Sequence, residues 1–150
     1  MRTASILPDG SPTWLASVER YLVGGAMRAL SPEHVVNAAT VCISEDFRDA
    51  TLGMIWDVLP GLDCPCWVHV AEALLANGDI DRVGGEPRLV ELAGSEMAFL
   101  YSARVCLEAH AELVHRYAEQ RRALQRLQVE AERVFSGGAA GPSWSKRFTK

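Results

Sequence analysis

Apolar residues recur along this chain at intervals of three and four, the period of a helix buried on one side, and no segment shows the two-residue alternation of a strand. Trp14, Leu15, Val18, Tyr21, Leu22, Met27 and Leu30 keep this spacing and predict a helix over 12–30. Ser11-Pro12 opens it as a cap followed by proline at the first helical position. Gly24-Gly25 lies inside that helix and weakens it, so the pair predicts a kink or a close neighbouring helix. Ser31-Pro32 repeats the start signal for a second helix over 32–43, carrying Val35, Val36, Ala39, Val41, Cys42 and Ile43.

Ser44 reads as the cap of a third helix over 45–58, with Phe47, Leu52, Ile55, Trp56 and Leu59 inside. Glu45 and Asp46 fall in its first turn, where the helix dipole favours acids, and Pro60-Gly61 ends it. A fourth helix over 65–76 begins at Cys64-Pro65, and Asn77-Gly78 stops it. Residues 77–88 hold Asp79, Asp81, Gly84, Gly85 and Pro87 and read as an exposed loop, with a short helix over 88–93 after it.

The longest periodic segment runs from Ser95-Glu96 to Phe135, roughly 60 Å of helix at about 1.5 Å per residue. A heptad frame puts Leu100, Leu107, Val114 and Phe135 at one core position and Ala103, Tyr117, Leu124 and Ala131 at the other. His110, Arg121 and Gln128 interrupt the seam. The first half fits a broad core-facing helix, the second a thin coiled-coil stripe. The expected fold is therefore all-α: a compact bundle or short stack of about four helices plus one long C-terminal helix. The expected division is a leader at 1–10, a helical body at 11–94, a long helix at 95–136 that packs on the body and extends as an arm, and a flexible basic tail at 137–150. Pro32, Val35, Ala38 and Val41 also match Pro65, Val68, Ala71 and Leu74 at a constant offset of 33, a period suited to stacked helical hairpins.

Charge sharpens this division. Residues 1–95 hold 6 basic and 13 acidic side chains, residues 96–136 hold 6 of each, and residues 137–150 hold only Lys146, Arg147 and Lys150. A basic tail on an acidic body reads as a contact arm. The overall charge of −4 gives no global attraction to nucleic acid or anionic membrane. No uncharged apolar stretch reaches the roughly 18 residues of a membrane span, and no apolar signal segment opens the chain. Cys42, Cys64, Cys66 and Cys106 then read as free thiols in an intracellular reducing compartment, the cytoplasm first and an organelle matrix second.

Several clusters carry candidate chemistry. Cys64 and Cys66 with His69 one turn on, together with Cys106 and His110 four apart on one helix face, are the residue types of a tetrahedral zinc site; as small buried thiols they serve the core equally well. Glu91, Cys106 and His110 stand at spacings that resemble the helical motif of the carboxymuconolactone decarboxylase and alkylhydroperoxidase D family, whose glutamate, cysteine pair and histidine relay protons. Ala103 occupies the first cysteine position and Gln120 the later histidine position, so the resemblance implies an inactive member. Arg104 and His110 resemble the arginine–histidine motif of HEPN-type helical nucleases, in which the histidine is a general acid or base. Glu112 and His115, with Glu108, resemble the di-iron ligand spacing of ferritin-like bundles.

Against these stands an array of opposite charges at helical spacing: Arg104–Glu108, Glu112–Arg116, Glu119–Arg122, Arg126–Glu130 and Glu130–Arg133. Nucleic acid is a further partner class, through the arginines at 121, 122, 126 and 133 and the tail with Trp144 as a stacking residue. No Ser/His/Asp or phosphate-loop signature is present. The sequence therefore leans away from an enzyme, assigns no catalytic residue, metal or cofactor, and reads as a structural or adaptor subunit. Its expected contacts with other protein subunits, or with itself, are Tyr117, Leu124, Leu127, Trp144, Lys146, Arg147 and Lys150. The alternatives are a nucleic-acid-associated helical protein in a ribonucleoprotein or similar complex, and a helical metallo- or thiol enzyme that resembles the carboxymuconolactone decarboxylase family or the ferritin-like bundles.

Overall fold

The computed structural model describes residues 6–136. Among them the fold is all-α, with helices α1 (Trp14–Ala26), α2 (Pro32–Val41), α3 (Ala50–Val58), α4 (Trp67–Asn77), α5 (Gly85–Gly94), α6 (Glu96–Tyr101) and α7 (Arg104–Ser136). Short 3-10 turns at Ser44–Asp46 and Leu59–Gly61 flank α3. No described helix is long and apolar enough to cross a membrane. The chain divides into two units, one reaching to Ala118 and one starting at Glu119.

In the first unit α1 is the central helix and packs chiefly on α6, α5 and α3. It buries Leu15, Leu22, Val23 and Ala26 completely. The glycine pair marks a close approach, as its cost to the helix predicted. A Cβ on Gly24 would lie 2.2 Å from the Leu92 carbonyl oxygen, and one on Gly25 would lie 2.6 Å from the Tyr101 Cβ. Ser31 caps α2 by accepting the Glu33 N–H at 3.2 Å, with Pro32 in the first turn. Gly78, at φ 76°, takes the left-handed conformation that ends α4.

Four helix ends need correction. Helix α1 starts at Trp14 instead of Pro12, because Asp9 accepts the Ser11 N–H at 2.9 Å and holds that segment in a turn. It also stops at Ala26, which leaves Leu30 exposed. The third helix does not start at Ser44. Asp46 is fully buried, and Asp49 caps α3 by accepting the Thr51 N–H. Residues 85–87, read as loop, belong to α5.

The long helix expected over 95–136 is two helices, broken at Ser102-Ala103. The break lets Tyr101 back onto Gly25 while its ring stacks on His110 with centroids 4.1 Å apart. The repeat at offset 33 does not extend to packing. Val35 and Ala38 are buried in α2, whereas the matching Val68 is exposed and Ala71 half-buried; Leu74 is buried where its match Val41 is only half-buried, and α4 also buries Val70, which lies outside the repeat.

Two ion pairs tie surface segments to this frame. Asp9 meets Arg48 at 2.7 Å, and Asp49 meets Arg88 at 3.2 Å. Burial works against ionising both carboxyls. Hydrogen bonds from Arg48 and Ser11 to Asp9, and from Thr51 and Arg88 to Asp49, outweigh it and hold both below the ordinary value of 3.8. A lowered carboxyl pKa contributes stability above the unfolded value, which is lost as pH falls through the folded value. The stability gap between wild type and Asp49→Asn, measured by urea unfolding, is therefore expected at neutral pH and should close as the pH falls below 3.8. A gap that stays constant into acid would contradict this account.

Candidate functional site

Two places concentrate groups able to meet another molecule. The first lies where α4 begins. Pro65 is buried and pins the segment before the helix, while Cys64 on one side stays exposed. Cys66 is the last extended residue before α4, at φ −65° and ψ 157°, and His69 sits in the helix's first turn. The Sγ of Cys66 and the Nδ1 of His69 are 3.0 Å apart and share a proton. Together with Cys64 Sγ, these atoms all lie within 4.8 Å of one another.

The backbone N–H of His69, unpaired within the helix as first-turn amides are, lowers the Cys66 pKa most, to about 7. Burial opposes this shift, and further hydrogen bonds from the His69 side chain, Cys64 and the Val68 N–H reinforce it. His69 is raised from 6.5, first by its hydrogen bond with Cys66 and then by the charge of that thiolate. Next to this cluster an open groove of about 520 Å³ runs between α4 and α5. Trp67, Val68, Leu75 and Ile80 form its apolar wall, with Glu72, Asp81 and Glu86 also lining it.

The sequence grouped Cys106 and His110 with this cluster, but the structure sends them elsewhere. Cys106 lies outside the set of three. His110 stacks on Tyr101, and its Nδ1–H donates to the Cys106 carbonyl oxygen at 2.7 Å. Arg104 is held by Glu108 at 3.2 Å, the surface pairing expected at helical spacing, so it does not join His110 in a nuclease pair. His115 and Glu112 form no metal-ligand cluster among the described residues, and the His115 Nδ1–H donates to the buried Asp46 at 2.9 Å. That contact is long-range and carries no sequence signal.

The second place is the part of α7 from Glu119 onward, a unit by itself. Leu124, Leu127, Ala131 and Val134 recur at spacings of three, four and three, and so share one face. Leu124 is 39% exposed and Leu127 is 68% exposed. Glu119 pairs with Arg122 at 3.0 Å and Glu130 pairs with Arg133, so these arginines are matched by acids on the same helix. Tyr117, in the first unit, is half-buried, with its ring edge-on to Trp14 at 5.5 Å. Trp144, Lys146, Arg147 and Lys150 lie outside the described residues.

No protein-family model matches the chain, and no curated protein is significantly similar to it. In fold the chain is similar to a solved structure, the N-terminal domain of DnaB helicase from Mycobacterium tuberculosis. The TM-score is 0.64 at 23% identity, over 87% of this chain and 90% of that one. The likeness is one of fold: both are all-α domains of the same architecture.

Proposed function

We propose that this chain is a non-enzymatic assembly module, a helical body that joins a larger complex through the C-terminal part of α7. The observation that carries this reading is the apolar stripe of Leu124, Leu127, Ala131 and Val134, exposed at its first three positions and half-buried at Val134, since aliphatic side chains in a heptad-like row gain free energy by leaving water for another helix. The occupant that such a seam fits most simply is the same seam on a second copy of the chain. Tyr117 and the tail residues Trp144, Lys146, Arg147 and Lys150 add to the contact in this proposal. The likeness to a domain of DnaB helicase supports a part that works inside a larger machine. That none of the four cysteines forms a disulfide suits the reducing intracellular setting that the reading requires.

Light scattering on the full chain tests the proposal. The wild type is expected to run as a discrete oligomer, and Leu124→Glu/Leu127→Glu as a monomer of unchanged helix content, because two carboxylates in a helix seam must be desolvated on pairing. A monomeric wild type would overturn self-assembly through the stripe, and so would an oligomer indifferent to the substitutions.

A further inference from the structure

We infer that Cys64, Cys66 and His69 bind one Zn²⁺ ion, with three protein ligands and a fourth position open to solvent. Tetrahedral zinc holds sulfur at about 2.3 Å and imidazole nitrogen at about 2.0–2.1 Å, which places ligand atoms roughly 3.5–3.8 Å from one another. Here the three ligand atoms already lie within 4.8 Å of each other, with Cys66 Sγ and His69 Nδ1 at 3.0 Å. Seating the ion asks for side-chain movements of only about an ångström.

The backbone around the cluster is anchored. Pro65 between the two thiols is buried, and Val70, the residue after His69, is fully buried and donates its N–H to the Cys66 carbonyl at 3.1 Å. The three ligands are thus presented by a fixed loop-to-helix junction, with Cys64 and His69 exposed and Cys66 half-buried. Two sulfurs and one imidazole form a borderline-soft donor set, which selects zinc over magnesium or calcium. Binding releases the two thiol protons to solvent and leaves His69 neutral with its Nδ1 lone pair on the metal, so two thiolate charges balance the divalent ion. Exposure leaves the fourth position to water, the arrangement of zinc sites with three protein ligands. Cys42, buried in the core, and Cys106, on α7, take no part.

The test is titration of the reduced, metal-stripped full chain with Co²⁺, followed by displacement with Zn²⁺ against a chromogenic chelator. One Co²⁺ per chain is expected to produce a thiolate-to-cobalt charge-transfer band and the intense visible bands of a tetrahedral ion, both bleached by Zn²⁺. Cys64→Ser, Cys66→Ser and His69→Gln should each lower zinc affinity by more than the roughly 10–100-fold that losing a supporting contact costs, whereas Cys106→Ser should leave it unchanged. Because Cys64 and His69 are exposed, their variants are expected to keep the wild-type helix content and melting profile, which separates ligand loss from unfolding. Absence of the charge-transfer band in the wild type overturns the site. Its survival in both Cys64→Ser and Cys66→Ser, or an equal loss in Cys106→Ser, overturns it as well.

Discussion

Gly25→Ala is expected to destabilise the protein by about 3 kcal/mol, although the same change in an exposed helix stabilises by roughly 1 kcal/mol. The sign reverses because α1 crosses α6 at that point with no room for a methyl group. The new Cβ would meet the Tyr101 Cβ at 2.6 Å, its carbonyl carbon at 2.8 Å and its oxygen at 3.0 Å. Gly24→Ala meets the Leu92 carbonyl oxygen at 2.2 Å and the Ala98 Cβ at 2.9 Å. Most of these atoms are backbone, so relief requires whole helices to separate and uncover apolar surface between them. Urea unfolding of both variants beside Gly94→Ala provides the measurement, since a Cβ on Gly94 meets nothing within 4 Å. If Gly24→Ala and Gly25→Ala were as stable as wild type, the helices would not touch there. A loss in Gly94→Ala as large as theirs would point to a cause other than contact.

That glycine pair also shows what the sequence made legible. Two glycines within an apolar helical pattern are unfavourable locally, and a close helix crossing is one of the few arrangements that repays them. The Ser31-Pro32 start and the Asn77-Gly78 stop were legible for the same reason, because each signal acts within a few residues of the backbone it shapes. Two of the misread boundaries depend on partners far away in sequence. The break at Ser102 follows from Tyr101 packing on α1 and on His110, and no local residue marks it as a stop. The turn at Ser44–Asp46 follows from Asp46 meeting His115, 69 positions away, and from Glu19 accepting the Arg48 N–H with both carboxylate oxygens at 3.1 Å. Acidic residues at a helix start have a ready local explanation in the helix dipole, and that explanation concealed the buried one.

The candidate sites divide along the same line. Cys64, Cys66 and His69 are neighbours in the chain, so their spacing alone placed them together. Cys106 and His110 were added to that cluster by residue type, and type says nothing of direction; α7 turns His110 onto Tyr101. The stripe at Leu124 and Leu127 was visible because helical periodicity in a charged segment leaves few other uses for aliphatic residues. The groove between α4 and α5 was not visible. Val68 and Leu75 are apolar residues of a helix, and only the packed structure shows them on the outer face of α4.

Asp46→Ala is the second large effect expected, a loss of about 3 kcal/mol. The carboxylate has no exposed surface, accepts the Ile43 N–H at 3.1 Å and takes the His115 Nδ1–H at 2.9 Å, so one side chain joins the turn before α3 to α7. Alanine leaves the Ile43 N–H without that acceptor in a part-buried site and removes a charge-assisted bond to the histidine. Asp46→Asn keeps an acceptor oxygen and should lose about half as much. His115→Ala alone leaves Asp46 its bond to Ile43, and His115 is itself 44% exposed, so its effect should be the smallest of the three. Denaturant unfolding of the two alanine variants and their double mutant closes the cycle. The double mutant is expected to be little worse than Asp46→Ala, because the second substitution removes a partner already lost. Strict additivity would mean that the two residues do not interact, and the link between α7 and the turn before α3 would then have to be carried by apolar packing alone.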